Sequence, residues 1–138
     1  MYSISKTFSF CYGHRLVGDH SKCRHLHGHS GNATIVLEYP QLDHRGMVVH
    51  FDELKQTIGH WIEENFDHTM ILAENDPIRT LLEEKGEKLK IIPVPPTAEN
   101  LARMIFEQTE GLGYPVVRVD FWESSTSMAS FKKSSASS

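Results

Sequence analysis

Cysteine is scarce and long apolar runs are missing, and each shortage removes a class of protein. Two cysteines, Cys11 and Cys23, in 138 residues are too few to staple a secreted scaffold, so both are expected as free thiols. No stretch approaches the ~20 apolar residues that span a bilayer. The N-terminus has no charged segment leading into an apolar run, so the chain reads as soluble and cytoplasmic, without a membrane partner. Basic excess is lacking too: a net charge of −4 leaves little to neutralise a track of phosphates, which argues against a nucleic-acid partner. Neither a repeat nor an internal linker interrupts the chain. The 39% hydrophobic content suits one core and one domain, placed at residues 1–131. Eight of the last fifteen residues are serine, a composition that cannot cover an apolar face, and residues 132–138 are expected as a disordered tail.

What is present alternates. Tyr2, Ile4, Phe8 and Phe10 share one parity and Ser3, Ser5, Thr7 and Ser9 the other, the period of a half-buried strand. Ala33, Ile35, Leu37 and Tyr39 repeat the pattern as a returning antiparallel strand. Asp52 is placed as the N-cap of a helix carrying Leu54, Ile58, Trp61 and Ile62 on one face. Asp76-Pro77 opens a short helix that stops at Gly86, and Leu89 to Val94 reads as a brief strand. Thr97 then caps a long helix with Leu101, Ala102, Ile105 and Phe106 inward, and Val117, Val119 and Phe121 form a last strand. Strands segregated from helices predict an α+β domain: an antiparallel four-stranded sheet with two helices on one face. The uncovered face of such a sheet predicts closure of several sheets into a barrel in an oligomer.

Histidine is the compositional outlier, with nine residues, four of them between His20 and His29. On an extended backbone His27 and His29 project to the same side, and Gly28 between them permits close approach. His14 lies just past the first strand, so antiparallel return can bring a third imidazole to the same point. Three histidines leave a tetrahedral Zn2+ one open position, the pattern of a catalytic site. Two other readings use the same residues. In one the histidines are solvated loop residues; in the other a structural zinc module recruits Cys23 and His25 and has no catalytic role.

Six ordered blocks carry a resemblance. They are Phe10-x-x-x-His14, Cys23-x-x-x-His27-Gly28-His29, Gly46-Met47-Val48 with Leu54-Lys55, Phe66-Asp67-His68, Pro96-Thr97-Ala98-Glu99-Asn100-Leu101-Ala102, and Trp122-Glu123-Ser124. In this the sequence resembles the 6-pyruvoyltetrahydropterin synthase family, and within it the bacterial 6-carboxytetrahydropterin synthases of queuosine biosynthesis. The resemblance implies a tunnelling-type fold, a homohexamer built from barrel-forming sheets, and active sites at subunit interfaces. It implies zinc on His14, His27 and His29, and a lyase acting on the side chain of 7,8-dihydroneopterin triphosphate. The product would be 6-carboxy-5,6,7,8-tetrahydropterin, with acetaldehyde and triphosphate released, or alternatively 6-pyruvoyltetrahydropterin.

By the same resemblance Cys23 is the base, and Asp67 and His68 are its partners, contributed by a different subunit. Glu123 is the pterin anchor, because a carboxylate can accept two parallel hydrogen bonds from the 2-amino group and N3–H of the ring. Thr97 and Glu99 are implied as substrate-pocket residues, although both also suit a helix N-terminus. Arg15, Lys22 and Arg24 are the cations nearest in sequence for the triphosphate. The chain departs from the family's habit at Tyr12-Gly13, where two alanines are usual, at Gly31, where an aromatic is frequent, and at His50, where aspartate is common.

Overall fold

The computed structural model describes residues 1–134, and the alternation of the first segment becomes a long strand, β1 (Tyr2–His14). Ser3, Ser5, Thr7, Ser9 and Cys11 face outward, while Phe10, Tyr12 and His14 turn into the core. A 3₁₀ turn (Lys22–Arg24), capped by Ser21, reverses the chain into β2 (His27–Tyr39). The two strands pair antiparallel without a break from Tyr2↔Tyr39 to His14↔His27. The second strand thus starts earlier than Ala33, and the His27-Gly28-His29 segment belongs to it.

A helical rod follows, made of α1 (Phe51–Leu54), a π-helical turn (Lys55–Gly59) and α2 (His60–Asn65). Leu54, Ile58 and Ile62 are buried along its inner face. Gly59 is where the rod meets β1, since a Cβ there would stand 2.6 Å from the Phe8 ring. The N-cap is His50 and not Asp52, because the first helical residue is Phe51 and the His50 Nδ1 accepts the Asp52 N–H at 3.0 Å. A histidine here does the acceptor's work that aspartate does at helix starts. The short helix α3 (Arg79–Glu84) and the long helix α4 (Ala98–Gly111) form as expected, with Thr97 Oγ1 accepting the Asn100 N–H.

The four-stranded antiparallel expectation is corrected: the sheet has six strands, in the order β4-β3-β1-β2-β5-β6, and it is mixed. Between the rod and α3 lies β3 (Thr69–Ala73), which runs parallel to β1 at Tyr12–His14 and parallel to β4 (Leu89–Ile92). Its Thr-Met-Ile-Leu-Ala run does not alternate because Thr69, Ile71, Leu72 and Ala73 are all buried, so no period of two marks it. After β5 (Val116–Trp122) the chain returns as β6 (Met128–Lys132). There Ala129 and Phe131 pack on the core, and the Phe131 ring lies 4.9 Å from Phe106. The tail expected from residue 132 therefore begins inside a strand, where Lys132 pairs with Arg118; residues 135–138 lie outside the described residues.

α4 packs against β5 and β6, and the helical rod covers β1, so both long helical segments lie over the face that carries Phe10, Ile35, Leu37 and Phe121. The opposite face is a polar lattice, with Thr7 bonded to Thr34 and Ser9 to Asn32.

Candidate metal centre

Register puts the three histidines together. His14 closes β1 directly opposite His27, and His29 stands opposite Tyr12, two residues along β2. The ring centroids lie 4.6 Å apart for His14–His27 and 5.0 Å apart for the other two pairs. One ring nitrogen from each falls within 4.8 Å of the others, close enough for a single metal ion.

Two of the three rings are already fixed in the tautomer that a metal ligand needs. His14 Nδ1 donates to the Pro96 carbonyl at 2.7 Å, and His27 Nδ1 donates to the His25 carbonyl at 2.7 Å. A carbonyl accepts only an N–H, so Nε2 of each ring keeps its lone pair free, as in histidine metal sites generally. Burial lowers the pKa of His14 and of His29, which keeps both imidazoles neutral. His14 Nε2 lies 3.1 Å from His29 Nε2, so converging lone pairs can be accommodated by a proton on His29 or by a cation. The donor set therefore fits a divalent ion such as zinc.

Glu123, one residue past β5, brings its Oε1 to 3.8 Å from His14 Nε2. Its neighbours Thr97, Glu99, Leu16 and Met128 line a cleft of about 280 Å³. Thr97 serves there as the cap of α4, and Glu99 stands in the first turn of that helix. Beside the histidines lies Tyr12, its ring 5.2 Å from His14 and 5.4 Å from His29. Burial, and then the Glu123 carboxylate, push its phenol far above the usual tyrosine range.

Asp67 and His68 form a pair at the start of β3, with His68 Nδ1 2.9 Å from Asp67 Oδ2. The corner is tightly tied: Cys11 N–H donates to Asp67 Oδ1 at 2.9 Å, His68 N–H to the Cys11 carbonyl at 2.6 Å, and Lys88 Nζ to the Asp67 carbonyl at 2.9 Å. These ties hold His68 in the left-handed region at φ 52°, where a non-glycine residue is rare and such strain collects at functional sites. Burial opposes ionisation of Asp67, but the Cys11 N–H and His68 outweigh it and lower its pKa. Cys23 sits half-buried in the 3₁₀ turn. Among the described residues no hydrogen bond or ion pair joins it to Asp67 or His68.

Arg15 is not free for a triphosphate. Its guanidinium makes a two-pronged pair with Asp76, Nε to Oδ2 at 2.9 Å and the second nitrogen to Oδ1. Sequence reading missed this partner because it lies 61 positions away, and it missed the Pro96 and His25 carbonyls because a backbone acceptor carries no residue signature.

The family model described as 6-pyruvoyl tetrahydropterin synthase matches residues 3–134. A curated Rickettsia bellii protein named 6-carboxy-5,6,7,8-tetrahydropterin synthase is 36% identical over 104 residues, covering 74% of this chain and 75% of its own. A Haemophilus influenzae protein of the same name is 32% identical over 143 residues, covering 96% and 100%. Among solved structures, an uncharacterized Wolinella succinogenes protein aligns with a TM-score of 0.79 at 28% identity, covering 96% of this chain and 98% of that one. Caenorhabditis elegans 6-pyruvoyl tetrahydropterin synthase aligns at 0.70 with 20% identity and 96% coverage of each chain, a likeness of fold.

Proposed function

The chain belongs to the 6-pyruvoyl tetrahydropterin synthase family, and from that premise we propose that it is a zinc-dependent 6-carboxy-5,6,7,8-tetrahydropterin synthase. Its substrates are 7,8-dihydroneopterin triphosphate and one water, and acetaldehyde and triphosphate leave. The observation that carries this is the convergence of His14, His27 and His29 within 4.8 Å, with Glu123 at their side.

Held by the three histidines, zinc would supply a Lewis acid that makes a side-chain hydroxyl of the substrate more acidic. The protein does the rest. Glu123 accepts the paired N–H groups of the pterin edge and so sets which side-chain carbon faces the ion. Cys23 takes the proton from that carbon, and its position a few residues before His27 keeps it at the margin of the same site. His68 exchanges that proton with the thiol through Nε2, because Nδ1 is engaged by Asp67, which fixes the tautomer. Thr97 and Glu99 shape the pocket wall, Thr97 as the cap of α4 and Glu99 from its first turn.

The separation of Cys23 from the Asp67–His68 pair supports an assembly in which a neighbouring subunit completes the relay. β1 pairs with β3 only at Tyr12–His14, which leaves the edge of residues 2–11 open, and β6 is the opposite edge of the sheet. A hollow of about 640 Å³ runs beside that open edge, between Phe8–Phe10 and the helical rod, with Asp67 at its rim. Open edges are normally covered or paired, here by edge-to-edge closure into the barrel of a homohexamer. Light scattering is expected to report six chains per particle; a monomer at micromolar concentration would leave the relay incomplete and overturn the assembly.

An elimination that stops at 6-pyruvoyltetrahydropterin uses the same metal, base and anchor. Acetaldehyde separates the two. With zinc-loaded protein, one acetaldehyde is expected for each substrate consumed, measured by coupled alcohol dehydrogenase; substrate loss without acetaldehyde would refute the 6-carboxy product.

A further inference from the structure

Among the described residues one buried side-chain polar atom has no hydrogen-bond partner, and it is the hydroxyl of Tyr12. The residue is 3% exposed, so bulk water does not reach the hydroxyl. A buried donor without an acceptor carries a desolvation cost that native structures rarely leave standing without a use.

The packing holds the ring where it is. Phe10 and Phe121 close on it at 5.7 and 5.5 Å, and the imidazoles of His14 and His29 at 5.2 and 5.4 Å. The space is made by Gly31, where a Cβ would stand 2.9 Å from Tyr12 Cε1. Gly31 on β2 thus leaves the room that the Tyr12 ring on β1 occupies. The Tyr12 ring lies 5.2 Å from the His14 ring, whose Nε2 stands 3.8 Å from Glu123 Oε1, so the phenol and the carboxylate flank the same imidazole. Glu123 for its part has no side-chain hydrogen bond among the described residues. Its Oε1 stands 3.8 Å from His14 Nε2, beyond hydrogen-bonding distance.

We propose that Tyr12 is a positioning residue: its hydroxyl donates a hydrogen bond to the Glu123 carboxylate when the cleft takes up a ligand with a 2-amino-pyrimidinone edge. Glu123 must present its oxygens in the plane of that edge to accept two parallel N–H groups. A donor at its flank fixes the plane and leaves the outward lone pairs for the ligand. The unpaired hydroxyl is then a cost of the empty site that is relieved on binding. This rests on the pterin reading above.

The test uses metal-free protein and neopterin, whose fluorescence reports binding without turnover. Tyr12→Phe removes a hydroxyl that bonds to nothing in the free protein, so its thermal midpoint is expected to stay level or rise. Neopterin affinity is expected to fall about tenfold, as for loss of a hydrogen bond to a charged group. The same substitution in a Glu123→Gln background is expected to cost little further, since the charged acceptor is already gone. The proposal is overturned if Tyr12→Phe lowers the midpoint and leaves affinity intact, which is the mark of a hydroxyl satisfied by a buried water. Equal losses in both backgrounds would also overturn it. Wild-type protein that fails to bind neopterin would sink the pterin reading and this one with it, whereas equal binding by wild type and Tyr12→Phe overturns this one alone.

Discussion

Replacing His27 with alanine is expected to remove stoichiometric zinc from the purified protein and to abolish turnover while the fold survives. The choice of His27 over His14 follows from burial. His14 is 2% exposed and bonded to Pro96 in the core, so its loss would confound folding with binding. His27 is partly exposed at the mouth of β2, and among the described residues its side chain bonds only locally, to the His25 carbonyl. Removing even the group behind a ligand typically costs about 10–100-fold in metal affinity, so loss of one ligand in three should cost more. Elemental analysis after gel filtration reads the metal, and circular dichroism the fold. Cys23→Ala is the companion: the thiol is assigned to proton transfer, so this variant should keep its zinc and lose turnover. A His27→Ala protein with full zinc would remove the ligand assignment, and a Cys23→Ala protein that sheds zinc would favour a structural Cys/His module instead.

The strand-bound part of this site was legible in the sequence because period-two alternation is a one-dimensional signal. His27-x-His29 and the even-numbered face of β1 state which side chains share a side before any tertiary fact is known. Legibility ended where burial is two-sided. Thr69–Ala73 is covered on both faces, so it has no alternation to read and no element is predicted there. β6 failed for the opposite reason: in Met128–Lys132 only Ala129 and Phe131 turn inward, too weak a pattern against a serine-rich background. His50 was misjudged through residue type, since capping statistics favour Asp52, yet an imidazole nitrogen accepts a backbone N–H equally well. Arg15 was misjudged through proximity. Its partner is 61 positions away, and only the parallel crossover from β1 to β3 and its following turn brings Asp76 beside it.

That pair has the largest consequence for stability. Asp76→Ala is expected to cost about 3 kcal/mol, the lower end of what removing one partner of a buried ion pair costs, because Arg15 keeps some access to water. The carboxylate is fully buried and also accepts the Ile78 N–H at 3.0 Å, so alanine strands two donors at once. A thermal midpoint roughly 10 °C lower would follow for a domain of this size. The loss should depend on pH in one direction only. The Arg15 guanidinium and its hydrogen bonds hold the Asp76 carboxyl below the usual carboxylate range, although burial alone would raise it. A group whose folded pKa is depressed contributes its full stability above the unfolded value of about 3.9 and loses it as pH falls through the folded value. The gap in midpoint between wild type and Asp76→Ala should therefore be constant from neutral pH down to about pH 5 and shrink below about pH 4. A gap that persists unchanged to pH 2.5 would mean that the charge contributes nothing and that alanine merely opens a cavity. Because Arg15 follows His14 directly, the same variant should also loosen the end of β1, and zinc affinity should fall with stability even though Asp76 touches no ligand.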